Sequence, residues 1–451
     1  MSKKPWEYGA LRVSDNKKYM QNGDKPFFWL GDTAWLMFCG LSKEEISTYL
    51  ENRAAKGYNV IQATLAHQWP VNTVDGREAF FDEDFTKPDT EPGSYWETVD
   101  FAVEKAEELG MYMALLPIWS GQFKAGRLNL NNVETYIDFL TDRYGKYPNI
   151  IWITGGDCKG TDGSSVTGDD GLEFWNKMGR RLKANNPDKL TTFHPFGRTV
   201  SSDYFLDSEW MDFYMFQSGH RRYDQVSLKQ WDDSATMGYY YGEDSFRYVE
   251  RVAECGNPKP VLDGEPSYEH IPQGLHNPEE PFWQDYDVRR FAYWSVLAGG
   301  CGFTFGHSSI MQFYPGDGSE PGAYGCTIHW RDAIHSPGGD NMSKMAALMR
   351  SVAWEKGKAA QDILACEDGE KYEHIAAFAG EDYALFYDYL GRDIAVKPAY
   401  IKGEKVKAYW FDPVSGQESP AGIFDNTKEM VFQVPKGGFQ HTDWVLILKS
   451  V

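Results

Sequence analysis

Two acids stand where apolar runs end: Asp157 closes "NIIWITGGD" (149–157), and Glu265 closes "KPVLDGE" (259–265), each directly after glycine. A pair of carboxyl groups is what glycosidic bond cleavage requires. One protonates the departing oxygen and the other attacks the anomeric carbon, at a separation of about 5–5.5 Å in retaining enzymes. On that reading Asp157 is the general acid/base and Glu265 the nucleophile. The neighbouring glycines are expected to remove side-chain bulk, so that a sugar ring can approach the backbone. Each motif alone also reads as a tight strand-to-helix turn whose acid caps the next helix; the pair at matching strand ends favours chemistry. Asp263 shares the parity of Glu265 but lies deeper, as an internal hydrogen-bond partner. Glu269 is a weaker candidate in the following loop.

Two such acids meet only if the chain closes on itself. Short β-rich runs alternate with helical periodicity: strands at 27–35, 58–66, 111–119, 149–157, 189–196, 211–220, 259–265 and 302–310, and helices at 42–58, 94–110, 131–147, 172–185, 244–256, 284–299 and 343–357. Ser42 and Glu45 form a capping box at the first helix. Near-continuous apolar strands argue for a parallel sheet buried on both faces, hence an α/β fold, a (β/α)8 TIM barrel. An open doubly wound sheet is the competing topology. After Gly357 the helices stop, and "HIAAFAGEDYALFYDYL", "KVKAYWFDPVSGQ" and "WVLILKS" read as strands separated by turn residues. The expected division is a catalytic barrel over 1–357, with a hairpin-like lead-in, and a small all-β sandwich over 358–451.

In a closed barrel the C-terminal strand ends share one mouth. They bring candidates for substrate binding: Asp32, His67, Gln68, Trp69, Trp119, His194, Gln217, His220 and His307, joined by Trp283 from a following loop. Trp69, Trp119 and Trp283 are proposed platforms for the C–H faces of sugars, with core packing as the alternative use of each. The histidines lie on separate strands without an HxH or HExxH pair, so hydrogen bonding to substrate is expected, with no metal and no cofactor. Surface roles are expected for His329 and His335.

The chain has 451 residues, with 16% aromatic content and a formal charge of −21. Such a field disfavours nucleic acid and anionic membrane surfaces as partners, and favours a neutral, polar substrate such as an oligosaccharide or polysaccharide. The six cysteines include no CxxC pair, so most are expected as free thiols. No apolar h-region or membrane span is read at the N-terminus "MSKKPWEYGALRV", which leaves the compartment open.

"KPFFWLGDTAWLMF", "GYNVIQATLAHQWP", "NIIWITGGD" and "VLDGEPSYE" together resemble the apiosidase-like glycoside hydrolases, family 140, related to the retaining (β/α)8 glycosidases. "KAYWFDPVSGQ" resembles the Trp-Phe-Asp-Pro stretch of the small β-sandwich these enzymes carry, a module labelled collagen-binding; shielding one side of the barrel is the role expected here. The resemblance implies a retaining β-glycosidase of plant polysaccharide breakdown, with Asp157 as acid/base and Glu265 as nucleophile, and removal of apiose from pectin side chains as the lead activity. Gly-Gly-Asp replaces the Asn-Glu of many members of the wider clan. Two other classes stay open: a carbohydrate-binding barrel without catalysis, and a metal-dependent hydrolase.

Overall fold

The computed structural model describes residues 3–225, 241–277, 279–316, 318, 322–435 and 443–451. The eight barrel strands are β1 (Trp29–Thr33), β2 (Val60–Thr64), β3 (Tyr112–Leu116), β4 (Ile150–Cys158), β5 (Thr191–Pro195), β6 (Tyr214–Gln217), β7 (Val261–Asp263) and β8 (Gly302–Phe305). β8 pairs in parallel with β1, placing Phe305 opposite Asp32. Side by side, the strands run β5-β4-β3-β2-β1-β8-β7-β6, and the short strand Thr199–Val200 pairs antiparallel with β6. β5 and β6 meet around the ring: Asp212 N donates to Thr191 O at 2.8 Å and Thr192 Oγ1 to Phe213 O at 2.6 Å. The sheet is therefore a barrel rather than an open doubly wound sheet. Seven of the strands are buried throughout, and in β4 only Asp157 keeps appreciable exposure.

The strands alternate with α1 (Lys43–Ala55), α2 (Tyr95–Leu109), α3 (Val133–Tyr144), α4 (Gly171–Asn185), α5 (Ser202–Phe205), α6 (Ser245–Glu254), α7 (Asp285–Leu297) and α8 (Pro337–Arg350). The capping box forms: Glu45 N donates to Ser42 Oγ and Ser42 N to Glu45 Oε2. Short helices at Met37–Gly40, Gly121–Lys124, Ser308–Gln312 and Trp330–Ala333 were not expected, the third replacing the end of the strand expected over 302–310, and two of the eight named helices also differ. α5 is a single turn where no helix was expected, and α8 starts six residues before the expected 343, because Pro337 at its first position has no N–H to leave unpaired. The lead-in is a three-stranded antiparallel sheet, tied to β3 by Asn22 Nδ2 donating to Tyr112 Oη at 2.6 Å.

Beyond the barrel lie β9 (Lys358–Ala359), β10 (Ile375–Ala379), β11 (Tyr383–Asp388), β12 (Ile394–Val396), β13 (Lys405–Phe411), β14 (Glu418–Asp425), β15 (Met430–Phe432) and β16 (Trp444–Ser450). They form a six-stranded antiparallel sheet, β9-β10-β11-β16-β13-β14, and a separate β12–β15 pair. Period-two alternation explains how β11 and β16 can be apolar on both faces. Tyr383, Leu385, Tyr387, Val445 and Ile447 belong to one core with the barrel, while Ala384, Phe386, Leu446 and Leu448 belong to a second core with the β12–β15 pair. α7 faces this sheet. Tyr293 stacks on Tyr387 at 4.5 Å, and the Arg289 guanidinium grips Asp443 with two hydrogen bonds of 2.8 and 2.9 Å. All six cysteines are free.

Candidate active site

Asp157 and Glu265 line one cavity of about 330 Å³ at the C-terminal end of the barrel. Asp157 arrives on an unusual backbone: Gly155 (φ 93°), Gly156 (φ 103°) and Asp157 itself (φ 50°) all lie in left-handed territory. The glycines are required, but not to admit a sugar. A Cβ on Gly155 would stand 2.5 Å from His194 O, and one on Gly156 2.9 Å from the Trp119 ring. A Cβ on Gly264 would likewise meet Met215 Sδ at 2.3 Å. The bulk they omit is occupied by protein, and the expectation of sugar against bare backbone is corrected.

His194 connects the two acids. Its Nδ1 accepts the Asp157 backbone N–H at 3.3 Å, so the ring proton belongs on Nε2, which lies 3.2 Å from Glu265 Oε2. That second contact has ion-pair distance without hydrogen-bond alignment, since neither atom finds an aligned partner among the described residues. On the other side His220 Nε2 sits 3.0 Å from Glu265 Oε1 in hydrogen-bonding geometry. The His220 ring meets Tyr268 edge-on at 4.9 Å, and Tyr268 Oη accepts from Trp35 Nε1 at 3.1 Å.

These neighbours separate the two acids electrostatically. Burial, reinforced by the nearby Glu265 charge, pushes Asp157 up from 3.8 to about 6, against the pull of His194, His220 and Lys124. Burial acts on Glu265 in the same sense, but there the two imidazoles prevail and hold it down at about 2. Between those values one carboxyl is protonated and the other ionised. Burial pushes Asp263 up to about 8, and its carboxyl accepts from Ser218 Oγ, Ser218 N and Glu265 N. Asp263 braces the β7 exit from inside.

Of the candidates read from sequence, His67, Trp119, Gln217 and His220 line the cavity with the two acids, and His194 lies fully buried behind it. Burial lowers His67 to about 4, so its ring is neutral near pH 7. The other five are elsewhere. Asp32 points outward from β1 into the helix layer, where Tyr49 Oη donates to it at 2.6 Å and Arg53, one turn further along α1, forms an ion pair with it. Gln68 is exposed away from the cavity. Trp69 packs on Phe80 and Phe85 and donates to Glu83 Oε2 at 2.9 Å. Trp283 is buried and donates to His220 O at 3.0 Å, so it supports the site from behind instead of offering a face to sugar. His307 is fully buried; its Nδ1 accepts from Ser309 N and its Nε2 faces Ser336 Oγ at 3.1 Å. Glu269 accepts from Gly338 N at the start of α8, outside the cavity.

Trp35, Phe196, Tyr268, His276 and Tyr324, absent from the candidates above, complete the wall and rim. Trp35 was accessible by parity. Trp29 reaches Phe213, beside β6, across the barrel interior, so positions 31, 33 and 35 point the same way. Tyr268 sits in the quoted "GEPSYEH", whereas Tyr324 comes from a loop without periodicity. Gln217 Oε1 and His220 Nδ1 are buried without a protein hydrogen-bond partner among the described residues. Among those residues no group of three or more His, Cys, Asp or Glu could hold a metal ion.

Residues 14–356 match the family model described as "Apiosidase-like, catalytic domain". The chain belongs to the apiosidase-like family. Residues 359–449 match a second model, described as "Putative collagen-binding domain of a collagenase". One solved structure, described as a glycoside hydrolase, is 37% identical with a TM-score of 0.92, over 100% of this chain and 99% of the other. A glycoside hydrolase family 5 protein from Bacteroides vulgatus is 36% identical with a TM-score of 0.92, over 100% and 96% of the two chains. A family 5 mannosidase from Rhizomucor miehei shares the fold alone, at 12% identity and a TM-score of 0.51 over 77% of this chain and 100% of that one. Among curated proteins there is no match. This apiosidase-like protein is a glycoside hydrolase, and its substrate is a carbohydrate. No helix among its described residues is long and apolar enough to cross a membrane.

Proposed function

We propose that the enzyme cleaves a β-glycosidic bond in plant cell-wall polysaccharide with retention of configuration, and that its substrate is an apiose-bearing pectin of the rhamnogalacturonan II type. The observation that carries the reading is one cavity holding two carboxyls in opposite environments, an ionised Glu265 between two imidazoles and a raised Asp157. Glu265 attacks the anomeric carbon while Asp157 gives its proton to the departing oxygen, leaving a glycosyl ester on Glu265. Asp157, now ionised, takes a proton from water, whose oxygen displaces Glu265 and releases the sugar. His67, Trp119, Gln217 and His220 contact the sugar. Apiose rests on family membership, and the division between catalytic barrel and C-terminal module falls at 357/358 in this reading.

The test is a panel of rhamnogalacturonan II, other pectins and mannan, with the anomer first released read by NMR. Glu265→Gln and Asp157→Ala should each lower kcat by about 10²–10⁴-fold or more. Full activity in either variant, or release of the inverted anomer, refutes the assignment.

A further inference from the structure

The segment leaving β6 is tied to the loop after β7 by Arg222 Nη1, which donates to Gln273 Oε1 at 3.0 Å and Glu280 Oε2 at 2.8 Å, and it carries His220. Its carbonyl accepts from Gly274 N at 2.6 Å and Trp283 Nε1 at 3.0 Å, and its ring reaches Glu265. Three residues on, Tyr223 N donates to Glu243 Oε1 at 2.8 Å, and Tyr223 Oη donates to Asp244 Oδ1 at 2.5 Å. Glu243 is completely buried, and its other oxygen is bound by Arg290, itself only 1% exposed. A buried carboxylate is held where its counter-charge sits. Arg290 is in turn confined by aromatic faces, Phe291 and Trp294 on its own helix and Tyr372 and Tyr389 from beyond the barrel, with the last two at 4.7 and 4.8 Å. Tyr372 Oη also donates to Glu243 Oε1 at 3.0 Å, and its ring meets Tyr223 edge-on at 5.2 Å.

We infer that Glu243 and Tyr372 are positioning residues for His220, so that the C-terminal module takes part in holding the imidazole against Glu265. Contact runs from Tyr372 and Tyr389 to Arg290 and Glu243, then through the Tyr223 backbone to His220. The module thereby does more than shield one side of the barrel. The kinetic consequence rests on the role proposed above for Glu265; the positioning itself does not.

Tyr372→Phe is the decisive variant, because it keeps the ring on Arg290 and Tyr223 and deletes one hydrogen bond. Histidine-ring NMR of the full-length chain reads the result without substrate, with His220→Asn identifying the resonance. The His220 signal is expected to move, together with that of nearby His374, while His307 and His335 stay in place. Movement of His374 alone, or of no signal, overturns the inference. Glu243→Gln should produce the same displacement, larger. Kinetically, Tyr372→Phe should lower kcat on rhamnogalacturonan II about threefold or more with little change in KM, and should raise the acid limb of kcat/KM, which reports Glu265 among His194, His220, Tyr268, Asp157 and Asp263. In a His220→Asn background the loss should vanish; an equal loss in both backgrounds counts against transmission through His220. Retained activity in Glu265→Gln would instead defeat the reading of Glu265, leaving the NMR result to stand alone.

Discussion

Replacing His220 with Asn removes one of the two imidazoles that keep Glu265 ionised. The carboxyl falls from 4.5 to about 2 although burial pushes it the other way. That drop corresponds to about 3 kcal/mol, and the imidazoles together supply more than this because they also overcome desolvation. An even division attributes half of this or more to His220, so the Glu265 carboxyl should protonate at higher pH in the variant. The reaction needs Glu265 ionised and Asp157 protonated, so kcat/KM should be bell-shaped in pH, with an acid limb near 2 and a basic limb near 6. His220→Asn should move the acid limb up by about one pH unit or more. The basic limb should also move up, because His220 pulls Asp157 downward in the native protein. Initial rates after a pH jump, with far-UV circular dichroism confirming that the chain stays folded, provide the measurement. An acid limb that stays put, or moves down, refutes the claim that His220 sets the ionisation of Glu265.

Gly155→Ala should destabilise the fold by about 1–3 kcal/mol or more, since alanine must hold φ 93° with its Cβ 2.5 Å from His194 O; an unchanged thermal midpoint contradicts this. Arg289→Met leaves Asp443 buried without its bidentate partner and should cost about 3–5 kcal/mol in urea unfolding, with partial recovery in Arg289→Met/Asp443→Leu; a loss below about 1 kcal/mol would show that the pair contributes little. His374 stacks on Phe246 at 3.9 Å, and burial holds it at about 4 instead of 6.5. Between those values the unfolded chain binds a proton that the folded chain does not. Stability from this group is therefore full above pH 6.5 and declines as pH falls toward 4, by up to about 3 kcal/mol. His374→Phe should flatten that decline, and an unaltered slope of unfolding free energy against pH would disprove it.

The barrel was legible because its strands are short, apolar and separated by capped amphipathic helices, a pattern that depends only on burial and period. Outward or inward direction was less accessible. Asp32 and Trp35 lie three residues apart around the end of β1, and only a fixed reference such as Trp29 facing Phe213 decides which one points inward. The glycines near the acids were visible, but sequence does not say what occupies the space a Cβ would take. At Gly156 it is Trp119, which is itself part of the cavity wall. Trp69 and Trp283 show the same limit from the other direction, since a tryptophan beside a strand end has the same sequence signature whether its face meets a ligand or a phenylalanine.

The separation of the two acids belongs to their surroundings more than to the acids. Desolvation raises both Asp157 and Glu265, and the charge on Glu265 raises Asp157 further. What distinguishes them is which atoms face the imidazoles. His194 takes the backbone N–H of Asp157 and turns its proton-bearing nitrogen toward the carboxyl of Glu265, so a single ring orients one acid and holds a charge on the other. The left-handed turn at residues 155–157 presents that N–H to His194. Strain in a three-residue turn on β4 is thus coupled to the ionisation of a group just beyond β7, and a change at Gly155 should disturb the protonation pattern of the site as well as the stability of the strand.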